Sequence, residues 1–216
     1  MSAVSYRKVT DLPDALAIFP LPSALLFPRW QLPLNIFEPR YLNMIDDAMA
    51  GSRMIGMVQS RQQEGEKPPI YNIGCAGRIT SYSETGDGRY LISLTGICRY
   101  KIGEEFAVTT PYRQVRPVWD DYLSDLHRAD DTHLPSRDML MTALHDYVAR
   151  NEMEADWSAV EGAPLETLIN ALCAGCPFSA TEKQALLEAP TVKERAGTLI
   201  CLLNMDIPGN ETGSMN

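Results

Sequence analysis

The sequence predicts an α+β protein, a small, partly closed antiparallel β-barrel followed by a helical bundle. Three observations predict it. Short β-type runs separated by turn residues fill the chain up to residue 118. Longer segments with apolar residues at helical spacing fill the remainder. The charge changes at the same place. Residues 1–118 hold 13 Lys+Arg and 11 Asp+Glu, a net of +2, whereas residues 119–216 hold 6 and 17, a net of −11, which together make the −9 of the whole chain. The predicted organisation is a flexible segment over 1–16, a barrel with one helix over 17–118, a bundle over 119–206 and a disordered tail over 207–216.

The stretch over 18–41, IFPLPSALLFPRWQLPLNIFEPRY, carries prolines at 20, 22, 28, 33 and 39. Proline fixes φ and lacks an N–H, so this run is neither one helix nor one central strand. It reads as short extended pieces that end where a helix starts. Pro39 suits the first helical position. Tyr41, Leu42, Ile45, Ala48 and Met49 form an apolar stripe, and Gly51 offers a left-handed cap. Residues 54–58 read as a buried strand and 60–69 as an exposed polar loop. Strands follow over 70–79, 89–95, 97–102 and 112–118, with Gly86-Asp87-Gly88 as a hairpin turn.

The acidic stretch over 120–133 reads as a short helix or a linker. Ser136 caps the next helix, whose apolar face is Met139, Leu140, Ala143, Leu144, Tyr147 and Val148. Pro164 opens another with Leu165, Leu168, Ile169 and Leu172. Two capping boxes, Ser179 with Glu182 and Thr191 with Glu194, place helices over 180–188 and 192–204. The second presents Val192, Ala196, Leu199, Ile200 and Leu203 on one side.

These pieces carry a family resemblance. Phe19-Pro20-Leu21-Pro22, Leu26-Phe27-Pro28, Leu32-Pro33-Leu34 and Ile36-Phe37-Glu38-Pro39-Arg40-Tyr41 resemble the opening of the Lon protease N-terminal (substrate-binding) domain. The segments over 74–79 and 94–102, the pair Pro111-Tyr112, and Leu186-Leu187-Glu188 with Lys193-Glu194-Arg195 are similar to its later parts. The resemblance covers most of residues 17–205 and implies a PUA-like antiparallel β-barrel with a trailing helical bundle. One departure stands out. Family members commonly carry glycine soon after the equivalent of Phe27-Pro28, where this chain has Arg29-Trp30.

The motifs of several reaction classes are missing. The chain contains no Gly-Lys pair for a phosphate loop, no G-x-S-x-G and no H-E-x-x-H. The resemblance is therefore to a stand-alone form without ATPase and protease parts. His127 and His133 lie among aspartates without metal-ligand spacing, and His145 stands alone. Cys173 and Cys176 form a CxxC at a helix C-terminus, where the dipole disfavours thiolate. Packed thiols are the expectation there and at Cys75, Cys98 and Cys201. No cofactor and no metal is expected.

No apolar run approaches the roughly 20 residues of a membrane helix. Asp11, Pro13 and Asp14 interrupt any signal-peptide core, so a cytoplasmic protein without membrane contact is expected. Trp30 beside Arg29 has the make-up of a binding hot spot, with a Trp folded over its own loop as the plain alternative. Glu38, Arg40, Tyr41, Arg99 and Tyr112 complete the candidate binding residues; helix-terminal and loop-tying roles compete at Glu38 and Arg40. The resemblance implies a non-catalytic module that recognises peptides or unfolded protein segments, and an adaptor role beside a protease. The alternative is RNA binding by a PUA-like barrel. The acidic second half and the lack of a basic cluster with interleaved aromatics weigh against nucleic acid.

Overall fold

Prolines set the limits of the first two strands. In the computed structural model, which describes residues 5–22, 24–61, 67–128 and 134–205, β1 (Leu16–Pro20) stops on a proline. β2 (Gln31–Ile36) carries Pro33 at the edge of the sheet, where a missing N–H is tolerated. Pro39 then opens α1 (Pro39–Ala50), which buries Tyr41, Met44, Ile45 and Ala48. Met44 belongs to this face, whereas Leu42 and Met49 are only half-buried, because helical spacing centres the stripe on positions 41, 44, 45 and 48. Gly51 is not a left-handed cap. Its φ is −111°, and the left-handed residue is Arg53 at φ 61°. The Arg53 N–H reaches back to the Ala48 carbonyl at 2.8 Å.

β3 (Met54–Val58) is buried along its whole length. β4 (Ile73–Glu84) and β5 (Tyr90–Glu105) form a long hairpin. β5 is continuous where two strands were expected on either side of Gly96. That glycine serves a close approach instead. A Cβ on it would lie 2.0 Å from the Phe27 carbonyl oxygen. Opposite, Ala76 faces Cys98 and Gly77 faces Gly96, so Ile97 is the extra residue of a bulge.

β6 (Gln114–Val118) completes a six-stranded sheet of order β2-β5-β4-β3-β1-β6, with β6 also paired to β5. This corrects the expected antiparallel barrel. β1 and β3 pair in parallel, β2 hangs outside the ring of pairings, and the β5–β6 register slips between Ile102 and Glu105. The parallel pair has a plain cause: β2 and α1 supply the crossover between β1 and β3 that parallel strands require. Within the ring, Leu16, Ile18, Val58, Cys98 and Val115 share a core with Tyr100. Gly56 and Gly74 make room for that ring; a Cβ on them would lie 2.3 and 2.9 Å from its hydroxyl oxygen.

A 3-10 helix (Asp120–Leu126) leads out of the sheet. α2 (Arg137–Arg150) is capped by Ser136, which accepts from the Met139 N–H. Such a cap is worth about 1 kcal/mol. Met139 itself is exposed, so the apolar face begins at Leu140. α3 (Trp157–Gly162), which no sequence pattern announced, is capped by Asp156. α4 (Leu165–Gly175) follows Pro164. α5 (Ala180–Glu188) and α6 (Val192–Asn204) start at the two capping boxes. Phe19, Phe27, Ile45 and Leu94 share one core cluster with Leu140, Ile169, Leu186 and Leu199, so strand and helix halves are built on common apolar packing.

The described part of the N-terminal segment packs on the sheet. Leu12 is buried with the ring core, and the Asp11 carboxylate accepts from the N–H groups of Arg7 and Lys8 at 2.9 and 3.1 Å. The expected tail over 207–216, His133 and residues 62–66 of the expected polar loop lie outside the described residues. Among the described residues, no helix is long and apolar enough to cross a membrane.

Candidate functional site

The loop between β1 and β2 is pinned to β5 through backbone hydrogen bonds. The Arg29 N–H donates to the Gly96 carbonyl at 2.8 Å, and the Gly96 N–H donates to the Trp30 carbonyl at 2.9 Å. Arg29 has φ 63°, a left-handed conformation that favours glycine. The arginine side chain ties the loop to the helical half. Its Nε donates to Glu166 Oε1 at 3.1 Å, its Nη2 donates to the same oxygen, and its Nη1 donates to the Asp125 carbonyl.

Arg29 and Trp30 thereby stand on one wall of a cleft of about 690 Å³ between the halves. Ile97, Leu126 and Pro164 give it apolar surface; Tyr6, Thr167 and Asn170 give it hydrogen-bonding groups. Asp125, Glu166 and Arg128 supply further charge. Trp30 is half-buried and packs against the main core with part of its ring.

Arg99 lies behind Asp125 and is 1 % exposed. Its Nε and Nη2 reach Asp125 Oδ2 and Oδ1, each at 2.8 Å. Nη1 donates to the carbonyls of Leu187 and Ala189, and Nη2 also donates to Pro190. A guanidinium has five N–H groups. All five are engaged here, so Arg99 is a buried tie between β5, the 3-10 helix and the α5–α6 link. Arg195, also 1 % exposed, lies over the Phe27 ring and donates to Leu186 O and Asn170 Oδ1. Its Nη2 has no hydrogen-bond partner among the described residues. Burial, then the nearby charge of Arg99, lowers its pKa to about 10.

The remaining candidates do not join this cleft. Arg40 and Tyr112 line a separate depression of about 560 Å³ with Lys67, Glu105 and Arg113. Glu38 precedes α1 without capping it and instead accepts from Arg40 Nη2 at 2.8 Å. Tyr41 is buried against Phe19, with the Arg40 guanidinium over its ring, and burial raises its pKa. The Tyr112 hydroxyl donates to Asp47 at 2.6 Å; burial and that carboxylate push its pKa up to about 12. Of the seven residues singled out in the sequence, only Arg29 and Trp30 meet in the cleft.

Asp125, Glu166, Asn170 and Arg128 were missed. Glu166 sits two residues after the helix-opening Pro164 and looked like an ordinary first-turn carboxylate. Asp125 falls three residues after Tyr122, the other buried residue of the 3-10 helix, which is a signal that spacing held. The CxxC thiols are buried at the end of α4, and burial pushes Cys173 to about 12 and Cys176 to about 11. Among the described residues, no three His, Cys, Asp or Glu side chains gather as a metal would require.

Comparison with known proteins places this architecture. Two solved structures share the fold at a TM-score of 0.59. The Lon N-terminal domain protein from Xanthomonas campestris is 19 % identical and covers 87 % of this chain and 97 % of its own. The N-terminal domain of Mycobacterium avium complex Lon protease is 15 % identical and covers 89 % of this chain and all (100 %) of its own. Lon protease 2 of Myxococcus xanthus is 27 % identical over 201 residues, 90 % of this chain and 24 % of that protein. Lon protease of Flavobacterium johnsoniae is also 27 % identical, over 202 residues. The chain spans about a quarter of the length of the curated relatives it matches, 24 % and 25 % in these two. These likenesses lend no support to the RNA-binding alternative. The family model for the ATP-dependent protease La (LON) substrate-binding domain matches residues 15–205, and the chain belongs to that family.

Proposed function

We propose that this chain binds peptides or unfolded segments of other proteins in the cleft between its strand and helix halves, and that it does not cleave them. The cleft is the observation that carries the reading. Its volume of about 690 Å³ falls within the roughly 300–1,000 Å³ of ligand-binding pockets. Trp30, Ile97 and Leu126 offer apolar surface for a peptide side chain, and Thr167 and Asn170 offer groups for its backbone. The substrate-binding character of the family supports the same assignment.

In this reading Arg29 and Trp30 meet the ligand directly. Arg40 and Tyr112 form a secondary contact surface, and Glu38, Tyr41 and Arg99 hold the frame. We further propose that the strand half is a distorted PUA-like barrel, that the protein works in the cytoplasm, and that it serves as an adaptor for a protease such as its longer relatives. Binding costs the peptide its conformational entropy, so affinities are weak to moderate.

The test is a titration with a permanently unfolded, reduced and alkylated protein, followed by hydrogen-exchange mapping of the complex. Protection is expected at 28–30, 96–97 and 164–170. Saturable binding that protects other surfaces, or no binding, counts against the cleft.

A further inference from the structure

Among the described residues, the accessible charge of the cleft is cationic, although the helical half that forms one of its walls belongs to a strongly acidic segment. The two carboxylates that line it among the described residues are committed and nearly out of reach. Asp125 is 7 % exposed and holds Arg99; Glu166 is 9 % exposed and holds Arg29. The cations are different. Arg29 has a side chain 33 % exposed, and among the described residues three of its five N–H groups have partners. Arg128 is exposed and pairs with no carboxylate among the described residues. The Tyr6 oxygen accepts from Arg78 Nη1 at 2.9 Å, which leaves its O–H to donate elsewhere.

The positive character continues behind and beside the wall. Arg195, bonded to Asn170 of the cleft, is buried and has no carboxylate partner among the described residues. Arg29 and Arg128 also line a neighbouring cavity of about 330 Å³ that adds Lys193. Spare donors and unbalanced positive charge meet beside the Trp30 ring.

We propose that the cleft recognises a carboxylate on the bound peptide, with Arg128, the two spare N–H groups of Arg29 and the Tyr6 hydroxyl as its partners and Trp30 as the apolar platform beside it. This deepens the peptide-binding reading and rests on it. The carboxylate comes from an Asp or Glu side chain or from a chain terminus; both present the same pair of oxygens. Charge-assisted hydrogen bonds to it are stronger than those to a neutral amide.

The test uses one apolar host peptide in four forms, with affinities measured by fluorescence anisotropy at low salt. The forms are a neutral C-terminal amide, the amide with an internal Glu, the amide with an internal Lys, and the free C-terminal acid. The Glu form, the free acid or both are expected to bind about tenfold more tightly than the neutral amide. The Lys form is expected to bind most weakly. Whichever acidic form gains identifies the source of the carboxylate. Arg128→Gln is expected to remove most of that preference while keeping the circular-dichroism spectrum and melting temperature of the parent. Equal affinities across the four forms, or a preference that survives in Arg128→Gln, overturn the carboxylate assignment and leave peptide binding standing. No binding by any form overturns both. Tighter capture of a single-stranded RNA of matched charge than of the acidic peptides also overturns it.

Discussion

Arg99 and Asp125 form a two-pronged ion pair inside the protein, with Nε–Oδ2 and Nη2–Oδ1 both at 2.8 Å. The backbone N–H of Arg99 donates to the same carboxylate at 3.0 Å. Through Leu187, Ala189 and Pro190 the arginine also binds the link between α5 and α6. The pair therefore fixes one side of the cleft, and its partners come from both halves. Removing one member of a buried pair strands the other charge, which costs about 3–5 kcal/mol. Asp125→Ala is expected to lose that much stability in urea unfolding. Arg99→Lys also loses stability, because an ammonium cannot reproduce the planar fork. The double change Arg99→Met with Asp125→Leu is expected to lose less than the sum of the losses of Arg99→Met and Asp125→Leu made singly. A loss below about 1 kcal/mol for Asp125→Ala contradicts the assigned role.

At Arg29 two effects oppose each other. The left-handed backbone at φ 63° favours glycine, while the side chain ties the loop to Glu166. Arg29→Gly and Arg29→Ala both lose the tie, but only alanine keeps the strain. Glycine is expected to be the more stable of the two by about 1 kcal/mol. Thermal melting of the pair measures this directly, and equal stabilities refute it.

Tyr100 fills the ring of strands, yet its buried hydroxyl has no hydrogen-bond partner among the described residues. Burial raises its pKa well above the ordinary tyrosine value, so the group stays neutral. Tyr100→Phe removes an unsatisfied polar atom and is expected to leave stability unchanged or raise it by about 1 kcal/mol. Gly56→Ala does the reverse, since its Cβ would strike the Tyr100 hydroxyl at 2.3 Å. Denaturant midpoints of both variants are the readout. A destabilised Tyr100→Phe points to a partner for the hydroxyl.

The cysteines separate by exposure. Cys75, Cys98, Cys173 and Cys176 are buried as expected, whereas Cys201, expected to be packed with them, is exposed. Burial pushes Cys98 and Cys173 to about 12 and Cys176 to about 11, so these thiols are protonated at neutral pH and gain thiolate only as pH rises toward those values. Brief iodoacetamide treatment of the folded protein at neutral pH is expected to label Cys201 alone by mass spectrometry. Denaturation is expected to open all five sites. Rapid labelling of Cys173 or Cys176 in the folded state contradicts the packed-thiol account.

Local signals in the sequence carried the fold further than the site. The capping boxes at Ser179 and Thr191 placed α5 and α6 to the residue, because cap chemistry is local. Gly96 misled, because its reason is the Phe27 carbonyl, nearly 70 positions away in sequence. The parallel β1–β3 pairing was equally hidden, since no local pattern reports a crossover. At the site, Trp30 and Arg29 were legible from composition: an aromatic and a cation in a proline-bounded turn. Arg99, another candidate from the sequence, is fully buried, and only Asp125 and the α5–α6 carbonyls explain why. Glu166 stands 137 positions from the Arg29 it holds, a pairing that only the folded chain creates.

The most direct test of the cleft as a peptide-binding site is a fluorescence-anisotropy titration of one labelled unfolded peptide against the native chain and Trp30→Ala. The native chain is expected to bind saturably. The variant is expected to fold normally and bind at least about tenfold more weakly, as befits a tryptophan at the centre of a contact. No binding by the native chain, or equal binding by a folded Trp30→Ala, contradicts the account.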